Sequence, residues 1–308
     1  MYSVTRIDRD AATLPAAYIG HSRGFSRQPL VDRSSGSPHM AVATCYLEPG
    51  GYVEEVVHSF EVSIYVLSGE LAVAMLGSST RLGEHHCVVI PVGVAYSIHA
   101  PAGTAHWLHM NAPAEVEDPQ RRPDTFFTGQ PAETHIPAKP DLRDPRNQHA
   151  FRFDPASMDL NHLAIGSDVE AASVSASMAT ALLAYSGIGV RMLIDRRVGA
   201  QLHTMFMVDY QPTAIAHPHD HPFEEAYIFV EGEVEAIVDG DVLVMRPGDV
   251  LWAGVGADHG FHNRSNGLVR WIETQAPQPP DQHSYRFSRD WEYLAQVLAA
   301  GRVSEGHV

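Results

Sequence analysis

The chain contains two long stretches in which short runs of branched and aromatic residues alternate with glycine, proline and serine. The first begins near residue 40 and includes AVATCYLEPG, VSIYVLSGELAVAML and HHCVVIPVG. The second begins near residue 187 and includes GVRMLID, TMFMVDY and YIFVEGEVEAIVDG. Short strands separated by turn-forming residues are typical of an antiparallel barrel or a double-sheet jelly roll. The pattern therefore predicts an all-β protein with two tandem jelly-roll barrels and a few short helices.

The remaining segments have a different composition. Residues 1–38 have mixed polarity and predict a loosely structured arm, and residues 111–155 are rich in proline and charge and predict an extended connector. A capping box of the type S-x-x-E opens an alanine-rich helix predicted over residues 167–185. A second helix is predicted over residues 288–300, followed by a glycine.

The two strand-rich stretches resemble each other, which indicates duplication of a whole domain. The decapeptide IYVLSGELAV at residues 64–73 matches YIFVEGEVEA at residues 227–236. The same comparison places His106 opposite His259. It predicts an N-terminal domain over residues 1–150 and a C-terminal domain over residues 151–308.

Charge and apolar runs limit the partners. The formal net charge of -16 argues against nucleic acid and against an anionic membrane surface, since both need a basic footprint. No apolar run at the N-terminus has the form of a signal peptide, and no later run approaches the length that spans a membrane. A cytoplasmic protein with a small-molecule substrate is expected, and jelly-roll edges favour a homo-oligomer.

The most informative stretch is HPHDHPFEEAYIFVEG, which begins at His217. Side chains alternate along a strand, so His219 and His221 share one face, and Glu225 keeps that parity if the strand resumes after a short bend. His259 comes from a later segment. Three imidazoles and a carboxylate that converge inside a barrel form a site for a divalent transition metal.

Residues near these four are expected to shape a substrate pocket, because they share the strand parity of the ligands or border the site. His217 also shares this parity, but the three-residue gap before Glu225 favours His219 and His221 as ligands. Glu224 has the opposite parity and is expected to be a solvated surface carboxylate. The predicted pocket residues are His217, Tyr227, Phe229, Phe261, Asn263 and Met207.

The motif HxH(x)3E(x)6G at residues 219–232, the PGD turn at residues 247–249 and a histidine followed by Asn263 resemble the cupin superfamily. The duplication makes the chain similar to a bicupin. The resemblance implies a jelly-roll fold and a metal held by His219, His221, Glu225 and His259.

The N-terminal half lacks most of this motif. Val56 and Val62 stand at a histidine position and at the glutamate position, so that His58 and His106 alone remain, and Met110 replaces the asparagine. The first barrel is therefore expected to be structural, with one metal per chain in the second barrel.

The donor set suits several divalent metals. Iron or manganese is favoured, and zinc, nickel, copper and cobalt stay open. A single carboxylate against a divalent ion leaves positive charge in an apolar pocket, which favours an anionic or enolate-like substrate. The metal would polarise the substrate as a Lewis acid, and Glu225 is expected to have a further catalytic role in moving a proton.

Three functions follow from the resemblance. The first is an oxidoreductase similar to the ring- and diketone-cleaving dioxygenases among the bicupins, of which the quercetin type uses three histidines and a glutamate. The second is a non-redox hydrolase or isomerase similar to ureidoglycine aminohydrolase. That family has Glu and Gln where this chain has His219 and His259. Oxalate decarboxylases usually keep metal motifs in both halves, so Val56 and Val62 count against a decarboxylase. The third is a non-catalytic metal-binding or ligand-binding cupin.

Overall fold

The first half of the chain folds into eleven β-strands. The computed structural model describes residues 1–116, 123–135, 139–142, 144–158, 187–278 and 286–287. In chain order the strands are β1 (Tyr2–Arg6), β2 (Ser22–Val31), β3 (Ala41–His58), β4 (Glu61–Ser68), β5 (Leu71–Met75), β6 (Ser78–Leu82), β7 (His86–Ile90), β8 (Tyr96–His99), β9 (Ala105–Ala112), β10 (Thr125–Phe127) and β11 (Ala150–Arg152).

Ten further strands follow. They are β12 (Ile188–Ile194), β13 (Thr204–Tyr210), β14 (Ile215–Asp220), β15 (Glu224–Glu231), β16 (Val234–Val238), β17 (Asp241–Met245), β18 (Asp249–Ala253), β19 (His259–His262), β20 (Val269–Ala276) and β21 (Arg286–Phe287). The helices of the described residues are short 3-10 turns: Arg9–Ala11, Ala16–Tyr18, Arg33–Ser35, Pro145–Asn147, Pro155–Met158 and Arg196–Val198. The all-β class with a few short helices is confirmed.

Several segment predictions need comment. The predicted arm, residues 1–38, holds β1 and β2, and β2 pairs with β3, so the prediction of a loose arm is wrong. The connector contributes β10, which pairs with β3, and β11, which pairs with β7. The helices predicted over residues 167–185 and 288–300 lie outside the described residues. No helix in the described part of the chain is long and apolar enough to cross a membrane.

The chain divides into two units. The N-terminal unit contains Arg6–Phe153 and Leu193–Thr204. The C-terminal unit contains Met1–Thr5, Asp154–Met192 and Met205–Val308, as far as these ranges are described. Each unit has its own apolar core, built from side chains that alternate inward along the strands.

The strands of the N-terminal unit form one sheet in the order β11-β7-β4-β9-β3-β8-β5-β6, and β2 and β10 also pair with β3. The C-terminal strands form two sheets. One has the order β1-β18-β15-β20-β13-β12, and the other has the order β17-β16-β19-β14-β21. Jelly-roll barrels are built from short, mostly antiparallel strands of this kind.

The duplication is visible in equivalent turns. Asp32 and Asp195 each cap a 3-10 turn, and each turn ends at a glycine with positive φ. The same sequence separation relates Gly69 to Gly232, where an added Cβ would collide with a backbone carbonyl in both barrels. Glycine is needed at these two positions because the backbone passes too closely for any side chain.

This separation also corrects one predicted equivalence. It pairs β8 with β19, so that Tyr96 of the N-terminal unit corresponds to His259. The strand order supports this equivalence, because β8 lies between β3 and β5 in the same way that β19 lies between β14 and β16. His106 lies on β9 instead, and the prediction that it stands opposite His259 is wrong. Likewise Ala100, rather than Met110, occupies the position of Asn263.

Candidate metal centre

Three histidines of the C-terminal unit meet inside its barrel. His219 lies on β14, His221 follows directly after β14, and His259 begins β19. One ring nitrogen from each lies within 4.8 Å of the others, and all three side chains are buried. The sequence prediction that these three residues converge agrees with the structure.

A β-bulge gives His219 its orientation. Ala216 of β14 faces Phe261 of β19, but His219 faces His259, so that β14 has one extra residue between the two pairs. Gly260 makes room for the bulge, since a Cβ there would lie 2.7 Å from the Ala216 carbonyl oxygen and 2.8 Å from the Pro218 nitrogen. The strand therefore bends at this point, and simple alternation does not extend through it.

Each of the three imidazoles is fixed in one tautomer. The Nδ1 atom of His219 donates to the His217 carbonyl at 2.8 Å, and Nδ1 of His221 donates to the Phe223 carbonyl at 2.9 Å. Nδ1 of His259 donates to the Ala257 carbonyl at 2.9 Å. Since Nδ1 carries a hydrogen in all three rings, Nε2 is the ring atom that each histidine can offer to a metal, which in His259 requires loss of the proton shared with Glu225.

Glu225, on β15, adds a carboxylate beside two of these imidazoles. Its Oε2 atom lies 2.8 Å from Nε2 of His221 and 3.0 Å from Nε2 of His259. These separations match the edge of an octahedron with metal–ligand bonds of about 2.1 Å, which is about 3.0 Å. Glu225 contacts two of the three histidines, whereas the nitrogens of the three histidines all lie within 4.8 Å of one another. The residues present fit a divalent transition metal.

The charges at the site support the same fit. Burial alone would raise the pKa of Glu225, but the charge and hydrogen bonds of His221 and His259 hold that pKa well below its usual range. Burial, together with the neighbouring His259, lowers the pKa of His219 to about 3, so this ring is neutral. Burial also opposes protonation of His259, yet its bond to Glu225 raises the pKa above the ordinary value. A divalent cation would take the place of the proton held between these two side chains.

Three side chains around Glu225 hold it in place. Gln275 on β20 donates through Nε2 to Glu225 Oε1 at 2.6 Å, and the Tyr227 hydroxyl donates to Oε2. Glu273 lies on the same face of β20, opposite Tyr227, and accepts from the Trp271 Nε1 at 3.0 Å. Burial first, and then the charge of Glu225, holds the pKa of Glu273 well above its usual range, so its carboxyl group is neutral.

The sequence prediction did not include Gln275 and Glu273. Both lie in WIETQA, where polar side chains alternate with a buried tryptophan along one strand. Polar residues at every second position of a buried strand are the available signal.

The predicted pocket residues fall into two groups. Tyr227, Phe229 and Phe261 face the barrel interior and pack with one another and with Trp271. Phe223, which was not predicted, stacks on the His221 ring with centroids 3.9 Å apart. An apolar wall therefore surrounds the imidazoles.

Other predicted pocket residues lie elsewhere. Phe206 and Val208 of β13 belong to the barrel core, so alternation turns Met207 to the other face of the sheet. The amide of Asn263 donates to the carbonyls of Tyr210 and Gly267 and holds a turn, so this residue has a structural role.

Two more residues lie away from their predicted positions. His217 lies within the bulge and acts electrostatically on the part-exposed His262, the residue after the inward-facing Phe261. Because the bulge changes the alternation, His217 does not share the face of His219. Glu224 is 1% exposed and accepts from the Trp252 Nε1 at 3.4 Å, so the prediction of a solvated surface carboxylate is wrong.

The equivalent place in the N-terminal barrel has no comparable donor set. Val56, His58, Val62 and Tyr96 occupy the positions of the four candidate ligands. The His58 Nε2 atom lies 3.0 Å from the Tyr96 hydroxyl, and its Nδ1 atom lies 3.0 Å from the Thr125 hydroxyl. Both nitrogens of the single remaining histidine thus have partners within the protein.

Comparison with known proteins agrees with this architecture. Residues 206–274 match the Cupin domain family. No match was found among curated proteins. A deletion mutant of Bacillus subtilis oxalate decarboxylase OxdC is 16% identical with a TM-score of 0.61, over 98% of this chain and 84% of that chain. The formate complex of Lactobacillus farciminis oxalate decarboxylase is 17% identical with a TM-score of 0.58, over 91% of this chain and 90% of that chain. The resemblance to two-barrel cupins is confirmed at the level of the fold.

Proposed function

Because the chain has the fold of a bicupin and contains a cupin domain at residues 206–274, we propose that it is a metal-dependent enzyme with one active site, in the C-terminal barrel. The observation that supports this proposal is the tautomer shared by the three imidazoles. Three buried imidazoles each donate Nδ1 to a backbone carbonyl, and each is therefore left with Nε2 as the atom that can bind a metal. A purely structural histidine cluster has no need for this shared arrangement.

His219, His221, Glu225 and His259 would hold one divalent transition metal, with iron or manganese favoured by the nitrogen and carboxylate donors. The metal would supply Lewis acidity toward a substrate oxygen and, as iron or manganese, a redox partner. The protein contributes the fixed donors. Gln275 and Tyr227 keep the Glu225 carboxylate oriented, and such outer hydrogen bonds tune both affinity and reactivity.

The substrate is proposed to be a small, anionic, oxygenated organic molecule. One carboxylate among the ligands leaves positive charge on a divalent centre, and the surrounding Phe223, Phe261 and Tyr227 offer an apolar wall. An anion is therefore stabilised more strongly here than in water. The exposed fraction of His219 is 9%, against 2% for His221 and 0% for His259, so small substrates are favoured and the approach is from the His219 side.

The first candidate reaction is cleavage of the substrate by O2 in the manner of a dioxygenase. Both oxygen atoms then enter the products, and no external reductant is required. Its support is the donor set of three neutral imidazoles and one carboxylate, which suits a redox-active metal. Glu225 would accept a proton from the bound substrate, because it is the ionised carboxylate of the donor set.

The second candidate is a decarboxylase, and Glu273 is the observation that favours it. Loss of CO2 leaves an electron pair on carbon, which must be protonated. The neutral carboxyl group of Glu273 lies beside Glu225 and can supply that proton. Solved structures with a similar fold include oxalate decarboxylases, which adds support at the level of the fold.

An oxygen electrode combined with CO2 detection separates the two reactions. The metal-loaded protein is assayed with catechols, hydroxy-aromatic acids, flavonols, diketones and oxalate. We expect stoichiometric O2 uptake with one of these classes and its loss in His221→Ala. Release of CO2 under anaerobic conditions without O2 consumption would identify the decarboxylase. Ammonia release from ureidoglycine would overturn both reactions and favour the hydrolase, whereas metal binding without turnover would favour a binding protein.

A further inference from the structure

The interior of the N-terminal barrel contains a row of polar side chains that the proposed reaction does not use. Along β9, Trp107, His109 and Asn111 face Val66, Ile64 and Val62 of β4 in register. These three residues of β4 belong to the apolar core, so the row on β9 also faces inward. Asn111 occupies the position that Gln275 has beside the candidate metal centre, since each pairs with the residue at the glutamate position.

Arg27 joins this row from the other side. It pairs with Cys45 on β3, and Cys45 pairs with Trp107, so the three side chains lie in line across neighbouring strands on the inner face. Arg27 binds Glu115 through one terminal nitrogen at 2.8 Å. The Glu115 side chain is 24% exposed, so water screens its charge and the buried guanidinium keeps part of its positive field.

Several polar atoms in the row have no hydrogen-bond partner among the described residues. They are the amide nitrogen and oxygen of Asn111, the Arg27 Nε and the Trp107 Nε1. Asn111 lies close enough to the His109 ring to oppose the fall of its pKa, but not with hydrogen-bond geometry. Asn111 and Trp107 are fully buried, and a buried polar atom left unpaired destabilises the fold, so such atoms need an explanation.

Arg27 and two buried histidines of this interior lie near one another. Burial lowers the pKa of His109 well below its ordinary value, the positive charge of Arg27 lowers it further, and a proton on His58 would do the same. Burial and Arg27 likewise lower the pKa of His58, to about 3. Both rings are therefore neutral at physiological pH.

We propose that the N-terminal barrel binds a small 2-hydroxy carboxylate at Arg27 and Asn111, without a metal. Their unpartnered atoms comprise a donor on each residue and one acceptor, the Asn111 oxygen. A carboxylate satisfies the donors, and the neighbouring hydroxyl group donates to the acceptor. The guanidinium compensates the charge of the anion, while the neutral His58 and His109 add no further charge.

The probe is glycolate, titrated calorimetrically into the full chain. We expect one glycolate to bind in the N-terminal barrel of both the wild type and His221→Ala, which lacks the candidate metal centre. Asn111→Leu should weaken this binding at least about tenfold, because one hydroxyl partner and one carboxylate partner are lost. Gln275→Leu, at the equivalent place in the other barrel, is the matched control and should leave the N-terminal affinity unchanged in the His221→Ala background.

Thermal unfolding gives a second readout that a structural role would not produce. Leucine replaces the unpartnered Asn111 amide with an apolar group of similar size, so Asn111→Leu should unfold at the same or a higher temperature without glycolate. Glycolate should raise the unfolding temperature of the wild type but not that of the variant. Absence of glycolate binding in His221→Ala, or equal affinity in Asn111→Leu, would overturn the proposal. So would a crystal structure at saturating glycolate in which ordered water alone satisfies Asn111.

Discussion

Gln275 provides a sharp test of how the metal centre is built, because it contacts a candidate ligand without being one. Its amide donates to Glu225 Oε1 at 2.6 Å, and the side chain is fully buried. Gln275→Leu keeps a side chain of similar size and removes the amide that donates to Glu225, together with its hydrogen bond to Glu273. The Glu225 carboxylate then loses the bond that fixes its rotation, whereas the three imidazoles keep theirs.

The magnitude follows from the kind of bond that is lost. A hydrogen bond to a charged group contributes about 1.5–3 kcal/mol, and about 1.4 kcal/mol corresponds to a tenfold change in affinity. The metal affinity of Gln275→Leu should therefore fall about 10- to 150-fold. Substitutions of residues that orient metal ligands weaken metal binding by about 10–100-fold in general, which agrees with this range.

The measurement is the metal dissociation constant, obtained by competition with a chromophoric chelator for manganese or iron. Asn111→Leu is the matched control, since it makes a similar change at the equivalent place in the N-terminal barrel and should leave the constant unchanged. A Gln275→Leu protein that binds metal as tightly as the wild type would refute the assigned role of Glu225. Equal weakening by both variants would show that the effect reports general destabilisation.

Three further predictions concern the fold. Gly260→Ala should displace the bulge and lower metal content severalfold by elemental analysis, whereas Gly267→Ala, where a Cβ meets nothing within 4 Å, should not. Glu61→Gln should lower the free energy of unfolding in urea by about 1.5–3 kcal/mol, because it removes the charge of a buried carboxylate that contacts His203 and accepts from the backbone nitrogens of Gln201 and Leu202. The exposed Glu233→Gln should change it by less than about 1 kcal/mol. The pKa of His58 is about 3 in the folded protein and 6.5 in the unfolded chain, so acid should destabilise the protein from pH 6.5 downward. The loss from this group should reach about 2 kcal/mol at pH 5. A His58→Gln protein whose stability depends on pH as steeply as that of the wild type would contradict this assignment.

The sequence predicted the fold class and the histidine cluster because both depend on local pattern. Alternation along strands marks the core, and the two-residue spacing of His219 and His221 keeps both side chains on one side of the chain. The bulge lies just before His219, so it leaves this spacing intact. The bulge does change the strand face on which His217 lies, whereas simple alternation predicts that His217 lies on the same face as the ligands.

The remaining site residues depend on pairing between distant strands. The sequence around His106 resembles the sequence around His259. The pairing of β8 and β9 with β3 nevertheless shows that Tyr96, not His106, occupies the position equivalent to His259. Gln275 reaches the site only because β20 pairs with β15, and no spacing within one strand reveals that pairing.

Burial was the other quantity that local pattern misjudged. Glu224 was expected on the surface because it alternates with Glu225, but the outer face of β15 is covered. Its counterpart Glu61 is equally buried and accepts from the backbone nitrogens of Gln201 and Leu202 at 2.8 and 3.0 Å. Alternation distinguishes the two faces of a strand, but it does not tell which faces meet water.

The central claim is that one metal centre, in the C-terminal barrel, carries the activity. Elemental analysis of the purified chain tests it most directly. We expect one transition metal per chain in the wild type and in His58→Ala, and loss of that metal in His219→Ala and Glu225→Ala. Two metals per chain, none, or equal loss from His58→Ala would contradict the account.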